Sequence, residues 1–135
     1  MSQLRRIANI RSGALSGTFH RSVTTQSSIK REWLVIAPDE TGAYQRRQDA
    51  RPSQHLKEII PDIQSGFLVF GGPYFSENNS KEGESTMIGS VLVVLAETKD
   101  DVIDRLKRDR YTELKVWDWN KVQIYPFNST VRMAK

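Results

Sequence analysis

The chain has no cysteine, only two histidines, and no apolar run longer than about ten residues. The missing cysteines exclude disulfides, thiolate metal sites and thiol catalysis. The shortage of histidine argues against a protein-bound metal, because imidazole and thiolate supply most such ligands. No stretch reaches the length of a membrane span, and none has the apolar core of a secretory signal. Acids are missing locally: residues 1–31 hold six basic side chains (Arg5, Arg6, Arg11, Arg21, Lys30, Arg31) and no Asp or Glu. The rest of the chain carries fourteen basic against sixteen acidic residues, a formal charge of −2. The basic pI of about 9.5 thus belongs to the leader. It gives no support for nucleic-acid binding, which needs a basic surface on the folded part.

What is present in residues 1–30 is Arg, Ser and Thr. Leu4, Ile7 and Ile10 fall on one helical face opposite arginines, the amphipathic pattern of an organelle transit peptide. The expectation is a cleaved mitochondrial leader, with cleavage between Arg21 and Arg31 and a matrix location. The alternative is a basic tail with some surface affinity. Residues 31–128 then form one domain with one core, and 129–135 a C-terminal tail.

Within the domain, Glu32–Ala37 reads as a buried strand closed by Pro38. Residues 43–50 read as a loop or a short exposed helical turn. A helix starts at Pro52, where a missing N–H costs nothing. Leu56, Ile59, Ile60 and Ile63 give that helix one buried face, with Pro61 ending or kinking it. A strand over 67–70 is broken by Gly71-Gly72-Pro73, and a polar surface loop follows over 76–85. Met87–Ala96 is a central strand buried on both faces. Thr98 and Asp101 have the spacing of a helix N-cap, ahead of a helix burying Val102, Ile103 and Leu106. Residues 111–115 are irregular or a short turn, and 116–127 the last strand. This strand, helix, strand, strand, helix, strand order predicts an α+β, ferredoxin-like (βαββαβ) antiparallel sheet with two helices on one face. Its other face is uncovered, so pairing of two copies in a homodimer is expected.

Several residues have two readings. Gly71, Gly72 and Pro73 either offer backbone amides to an anion or simply form a strand-ending turn. Arg51 either holds a carboxylate or phenolate beside His55 or is an exposed arginine ahead of a helix. Tyr111, with Tyr74 and Phe75, either walls a ring-sized ligand or packs in the core or interface. Trp117 and Trp119, two apart on a strand, share one side and form an interface stripe. His55, at the border of its helix's apolar face, is either a proton-transfer group or a half-buried structural histidine.

Six pieces in order resemble the YciI-like (YCII-related) family of dimeric α/β-barrel proteins. They are Trp33-Leu34-Val35-Ile36-Ala37, Arg51-Pro52-x-x-His55-Leu56, Gly66-x-Leu68 leading to Gly71-Gly72-Pro73, Gly89-Ser90-x-Leu92-x-Val94, Asp109-x-Tyr111 and Val122-x-Ile124-x-Pro126-Phe127. The resemblance covers about residues 32–127. It implies a dimeric α/β barrel with a pocket lined by a His–Asp pair, here His55 and Asp109, proposed in that family for acid–base chemistry. One branch is associated with dehydrochlorination of a chlorinated hydroxyquinol. The implied activity is that of a lyase or isomerase acting on a small organic acid without metal or cofactor. The alternative is a non-catalytic module that binds a small metabolite or a protein partner. The expected partners are a second copy and a small-molecule ligand, with neither nucleic acid nor membrane.

Overall fold

The computed structural model describes residues 17, 29–50, 52–77 and 86–135. The expected leader apart from residues 17, 29 and 30, together with His20 and Arg51, lies outside them, as does part of the loop over 76–85. The chain runs through β1 (Arg31–Pro38), α1 (Tyr44–Asp49), α2 (Pro52–Glu58), α3 (Ile60–Gln64), β2 (Leu68–Phe75), β3 (Met87–Ala96), α4 (Lys99–Leu106), α5 (Arg110–Glu113) and β4 (Gln123–Phe127). The four strands form one antiparallel sheet in the order β2-β3-β1-β4. That order, with helical crossovers between β1 and β2 and between β3 and β4, is the ferredoxin-like fold.

The period-two alternation of β1 decides which face is the core. Trp33, Val35 and Ala37 are buried among Val94, Ala96, Val102, Leu106 and Ile124. Val35, Val94, Val102 and Val116 are fully enclosed. Each such side chain contributes roughly 1.5–3 kcal/mol relative to exposure, an upper bound given compact unfolded chains. The helix α4 is anchored by a reciprocal cap: Thr98 Oγ1 accepts from the Asp101 N–H while the Asp101 carboxylate accepts from the Thr98 N–H. The opposite face carries Leu34, Ile36, Val91, Val93 and Leu95, paired in register as Leu34 with Val93 and Ile36 with Val91. Val93 is buried at its centre, and Leu34, Ile36, Val91 and Leu95 are half-buried. Phe70 and Tyr125, partners of Val93 and Leu34, are 65% and 48% exposed there.

Four local expectations are overturned. Gly71-Gly72-Pro73 does not break β2: the three sit in register with Leu92, Val91 and Ser90 of β3. Proline is tolerated because β2 is an edge strand. Neither glycine has a positive φ. Gly71 is crowded instead: a Cβ there would lie 2.7 Å from Leu92 Cδ2, so that the leucine side chain would have to shift. Residues 43–50 are not an exposed turn, because α1 directs Arg47 into the core. The last strand is only Gln123–Phe127, so Trp117 and Trp119 do not share a strand face. Instead α5 ends with Lys115 at φ 54°, and the Val116 N–H donates to Tyr111 O and the Lys115 N–H to Thr112 O. This left-handed cap normally takes glycine, and Arg46 supports it by donating twice to Lys115 O. It turns the chain back so that Val116 and Trp117 are buried, while Trp119 Nε1 donates to Thr112 Oγ1. Finally, Leu56, Ile60 and Ile63 are 58%, 42% and 47% exposed, so the apolar helical stripe is not a buried face.

The tail is also tied down. The Ser129 N–H and hydroxyl both donate to the Glu32 carboxylate, and Arg132 pairs with it. These hydrogen bonds from Ser129, aided by Arg132, hold the Glu32 carboxyl below its usual range.

Candidate functional site

Two elements far apart in sequence bring His55 and Asp109 together. Pro52 starts α2, which carries His55 one turn in. Asp109 is the N-cap of α5, in extended geometry, with its Oδ1 accepting from the Tyr111 N–H at 2.8 Å. That cap fixes the carboxylate, and His55 Nε2 meets it at 3.0 Å from Oδ1 and 3.2 Å from Oδ2. Both side chains are about one-eighth exposed. The pairing of Asp109 with Arg105 that helix spacing permits is absent, because Arg105 Nε donates to Asp62 at 2.8 Å. An ionised carboxylate only accepts, so the proton of this pair sits on Nε2. The lone pair of a neutral His55 is therefore on Nδ1, which has no hydrogen-bond partner among the described residues.

Tyr111 continues the site inward. Its ring stacks on His55, with centroids 3.9 Å apart and planes 18° apart, and meets Trp117 edge-on at 5.6 Å. Burial pushes its phenol up, although Arg47 beside it acts in the opposite direction. Arg47 lies over the Tyr111 ring, its guanidinium carbon 4.6 Å from the centroid. The guanidinium also binds Asp39 through two bonds of 2.8 Å, Nε to Oδ2 and Nη2 to Oδ1. Burial works against its charge, but Asp39 outweighs that and holds the guanidinium protonated above its ordinary value. Ser90 Oγ accepts from Arg47 Nη2 at 2.9 Å and from Trp117 Nε1 at 3.2 Å.

These groups border a cavity of about 450 Å³. His55, Asp109, Tyr111, Arg47, Ser90 and Trp117 supply its polar and aromatic wall. Leu56, Ile59, Ile63, Phe67, Leu68 and Leu92 supply the apolar one, which explains the unburied helical stripe. Gly71, Gly72 and Pro73 also line it, from β2. Of the residues expected from sequence, only Arg51 cannot be placed, since it lies outside the described residues. Arg47, Asp39 and Ser90 were not expected. Their one sequence trace is that a charged residue and a serine fall on inward positions, which is visible only once the register is known. A smaller cleft of about 290 Å³ lies beside the His–Asp pair, and its Arg105 and Arg110 are ion-paired with Asp62 and Glu58. Among the described residues no cluster of three His, Cys, Asp or Glu groups is placed to hold a metal, and no helix is long and apolar enough to cross a membrane.

No protein-family model matches the chain. It is 32% identical over 84 residues to the derivative of benzaldehyde biosynthesis cluster protein C of Emericella nidulans, covering 62% of this chain and 85% of that protein. It is 30% identical over 103 residues to the aspercryptin biosynthesis cluster protein B of the same organism, covering 76% of this chain but only 65% of that protein's length. Among solved structures, 5-chloro-2-hydroxyhydroquinone dehydrochlorinase from Burkholderia phenoliruptrix AC1100, in complex with 2,5-dihydroxybenzoquinone, superposes with a TM-score of 0.59. That match has 23% identity over 72% of this chain and 93% of the other, a likeness of fold.

Proposed function

We propose a function on one premise: this chain belongs to the family of the derivative of benzaldehyde biosynthesis cluster protein C of Emericella nidulans. Within it, we read the chain as a YciI-like protein that moves a proton on a small, ring-sized organic molecule, a lyase- or isomerase-type activity without a cofactor. The observation that carries this reading is the 3.0 Å contact between His55 Nε2 and Asp109 Oδ1 at the wall of the cavity. Support comes from the fold shared with a dehydrochlorinase whose structure holds a six-membered ring compound. The cavity volume also falls within the roughly 300–1,000 Å³ typical of small-molecule sites.

The chemistry follows from the tautomer. His55 Nδ1 takes a proton from a carbon next to a carbonyl. The C–H electron pair becomes a C=C bond, and the carbonyl π pair moves onto oxygen. Asp109 stabilises the imidazolium that results, as in other carboxylate–histidine pairs. Return of the proton to a different carbon is isomerisation. Loss of a leaving group with its electron pair, from the carbon next to the carbanion centre, is elimination. Among the described residues no serine or cysteine is hydrogen-bonded to His55, and the proposed steps use proton transfer alone.

The test follows deuterium uptake from D2O into the methylene of phenylacetone by NMR, together with chloride release from 5-chloro-2-hydroxyhydroquinone. The wild type is expected to accelerate at least one of them. His55→Gln is expected to lose about 10²–10⁴-fold, the usual contribution of a positioned acid–base group. Ligand binding with neither reaction in the wild type would instead make the protein a binding module.

The same reading includes a homodimer formed through the open sheet face. Val91, Val93, Leu34, Ile36 and Leu95 form a continuous apolar surface there, with Phe70 and Tyr125 exposed at its sides. A buried charge at such a contact costs several kcal/mol. Val91→Asp, which leaves the core side of β3 untouched, is expected to turn a dimer into a monomer by light scattering. A wild type that is already monomeric at micromolar concentration would refute the pairing.

A further inference from the structure

Ser90 sits on the core-facing side of β3, opposite Ala37 in β1 and Pro73 in β2, and is 5% exposed. Its hydroxyl oxygen has two lone pairs, and both are used: Arg47 Nη2 donates at 2.9 Å and Trp117 Nε1 at 3.2 Å. A hydroxyl in that state can act only as a donor towards any further partner. No acceptor for its proton is found among the described residues, and the residue lines the cavity. Two N–H donors, one of them cationic, also polarise the O–H bond and strengthen what it gives.

The charges around the cavity restrict what it can meet. Arg47 is the cationic group in the polar wall, and its two-bond grip on Asp39 leaves it little to offer an anion. Asp109, paired with His55, and Asp62, paired with Arg105, face the cavity as carboxylates. Among the described residues lining the cavity, no uncommitted cation is placed to receive a carboxylate ligand. The remaining wall is apolar.

We propose that Ser90 is the ligand's hydrogen-bond donor, and that the cavity takes an uncharged, ring-sized carbonyl compound whose oxygen accepts from Ser90 Oγ. This rests on the acid–base reading of His55 and names its substrate class. It replaces the organic acid expected from sequence. In the enolate formed when His55 takes a proton, negative charge grows on the oxygen that Ser90 holds, so the contact strengthens as the reaction proceeds.

The experiment compares three ligands of nearly one shape by NMR titration of the full chain: phenylacetone, isobutylbenzene and phenylacetate. The first is a neutral carbonyl, the second lacks an acceptor and the third is an anion. Phenylacetone is expected to bind about tenfold tighter than either of the others, the worth of one good hydrogen bond. Ser90→Ala is expected to erase its advantage over isobutylbenzene. Ser90→Ala strands two buried donors, so the wild-type ranking and the side chain of similar size in Ser90→Cys provide readouts that survive poor folding of the alanine variant. The carbonyl stretch of bound phenylacetone adds a direct one, lowered in the wild type and raised in either variant. Phenylacetate binding as well as the ketone, or isobutylbenzene matching it in the wild type, overturns the proposal. Ketone exchange that needs His55 but ignores Ser90 overturns it while leaving the acid–base reading intact. Selective ketone binding without exchange does the reverse.

Discussion

Asp39→Ala is expected to destabilise the domain by about 3–5 kcal/mol, the cost of stranding one member of a buried ion pair. In a domain of this size that lowers Tm by about 15 °C or more. Arg47 and Asp39 have side chains 2% and 6% exposed, so water does not replace the missing carboxylate. The loss spreads beyond the pair, because Arg47 also donates to Ser90 and lies over Tyr111. An arginine cannot shed its charge as a buried lysine can. The double variant Asp39→Leu with Arg47→Met is expected to melt above Asp39→Ala, since an apolar pair avoids the unpaired charge altogether. Thermal unfolding followed by circular dichroism decides it. An Asp39→Ala protein melting within a few degrees of wild type would show that the pair does not hold this end of the sheet.

The second large effect is on reactivity, with little change in stability. Asp109→Asn is expected to keep the fold, because an asparagine side-chain oxygen still caps α5 by accepting from the Tyr111 N–H. It changes what His55 meets. The amide presents N–H groups as well as an oxygen, so the ring no longer has a reason to hold its proton on Nε2. A flipped tautomer puts the proton on Nδ1 and removes the base, and the imidazolium loses its counter-charge. The proton-exchange rate of phenylacetone is expected to fall about 10²–10⁴-fold. Asp109→Ala removes the cap as well, at about 1 kcal/mol or more, and is expected to lose both activity and melting temperature. A rate in Asp109→Asn within a few-fold of wild type would mean that Asp109 serves only as the α5 cap.

The two effects separate two halves of one cavity. Arg47, Ser90 and Trp117 form a buried floor, held from behind by Asp39, whose hydrogen bonds lock the end of the sheet. His55 and Asp109 form a less buried wall built from a helix and a helix cap. Tyr111 joins them, with one face on the imidazole and Arg47 over its ring.

Local pattern in the sequence determined β1, β3, the capping box at Thr98 and the order of elements, and with them the sheet order of a ferredoxin-like domain. Those signals depend on neighbours a few residues apart: a continuous apolar run in β1, a longer one in β3, a side chain meeting a backbone N–H three residues on. Position also singled out His55, and the likeness to a family named Asp109 as its partner. What only the tertiary structure decided is everything that depends on which distant residues face one another. Gly71-Gly72-Pro73 looks like a turn in isolation, but an edge strand tolerates its proline and the Leu92 side chain crowds its first glycine. Trp117 and Trp119 look like a strand stripe until the left-handed turn at Lys115 sends Trp117 beneath Tyr111. The apolar face of Leu56, Ile59 and Ile63 looks like core, yet it walls a cavity. Arg47 looks like one surface charge among several, and only its approach to Asp39 and Ser90 makes burial affordable. A charge or hydroxyl carries no local mark of being buried, because its partner lies eight residues away in Asp39 and forty-three in Ser90.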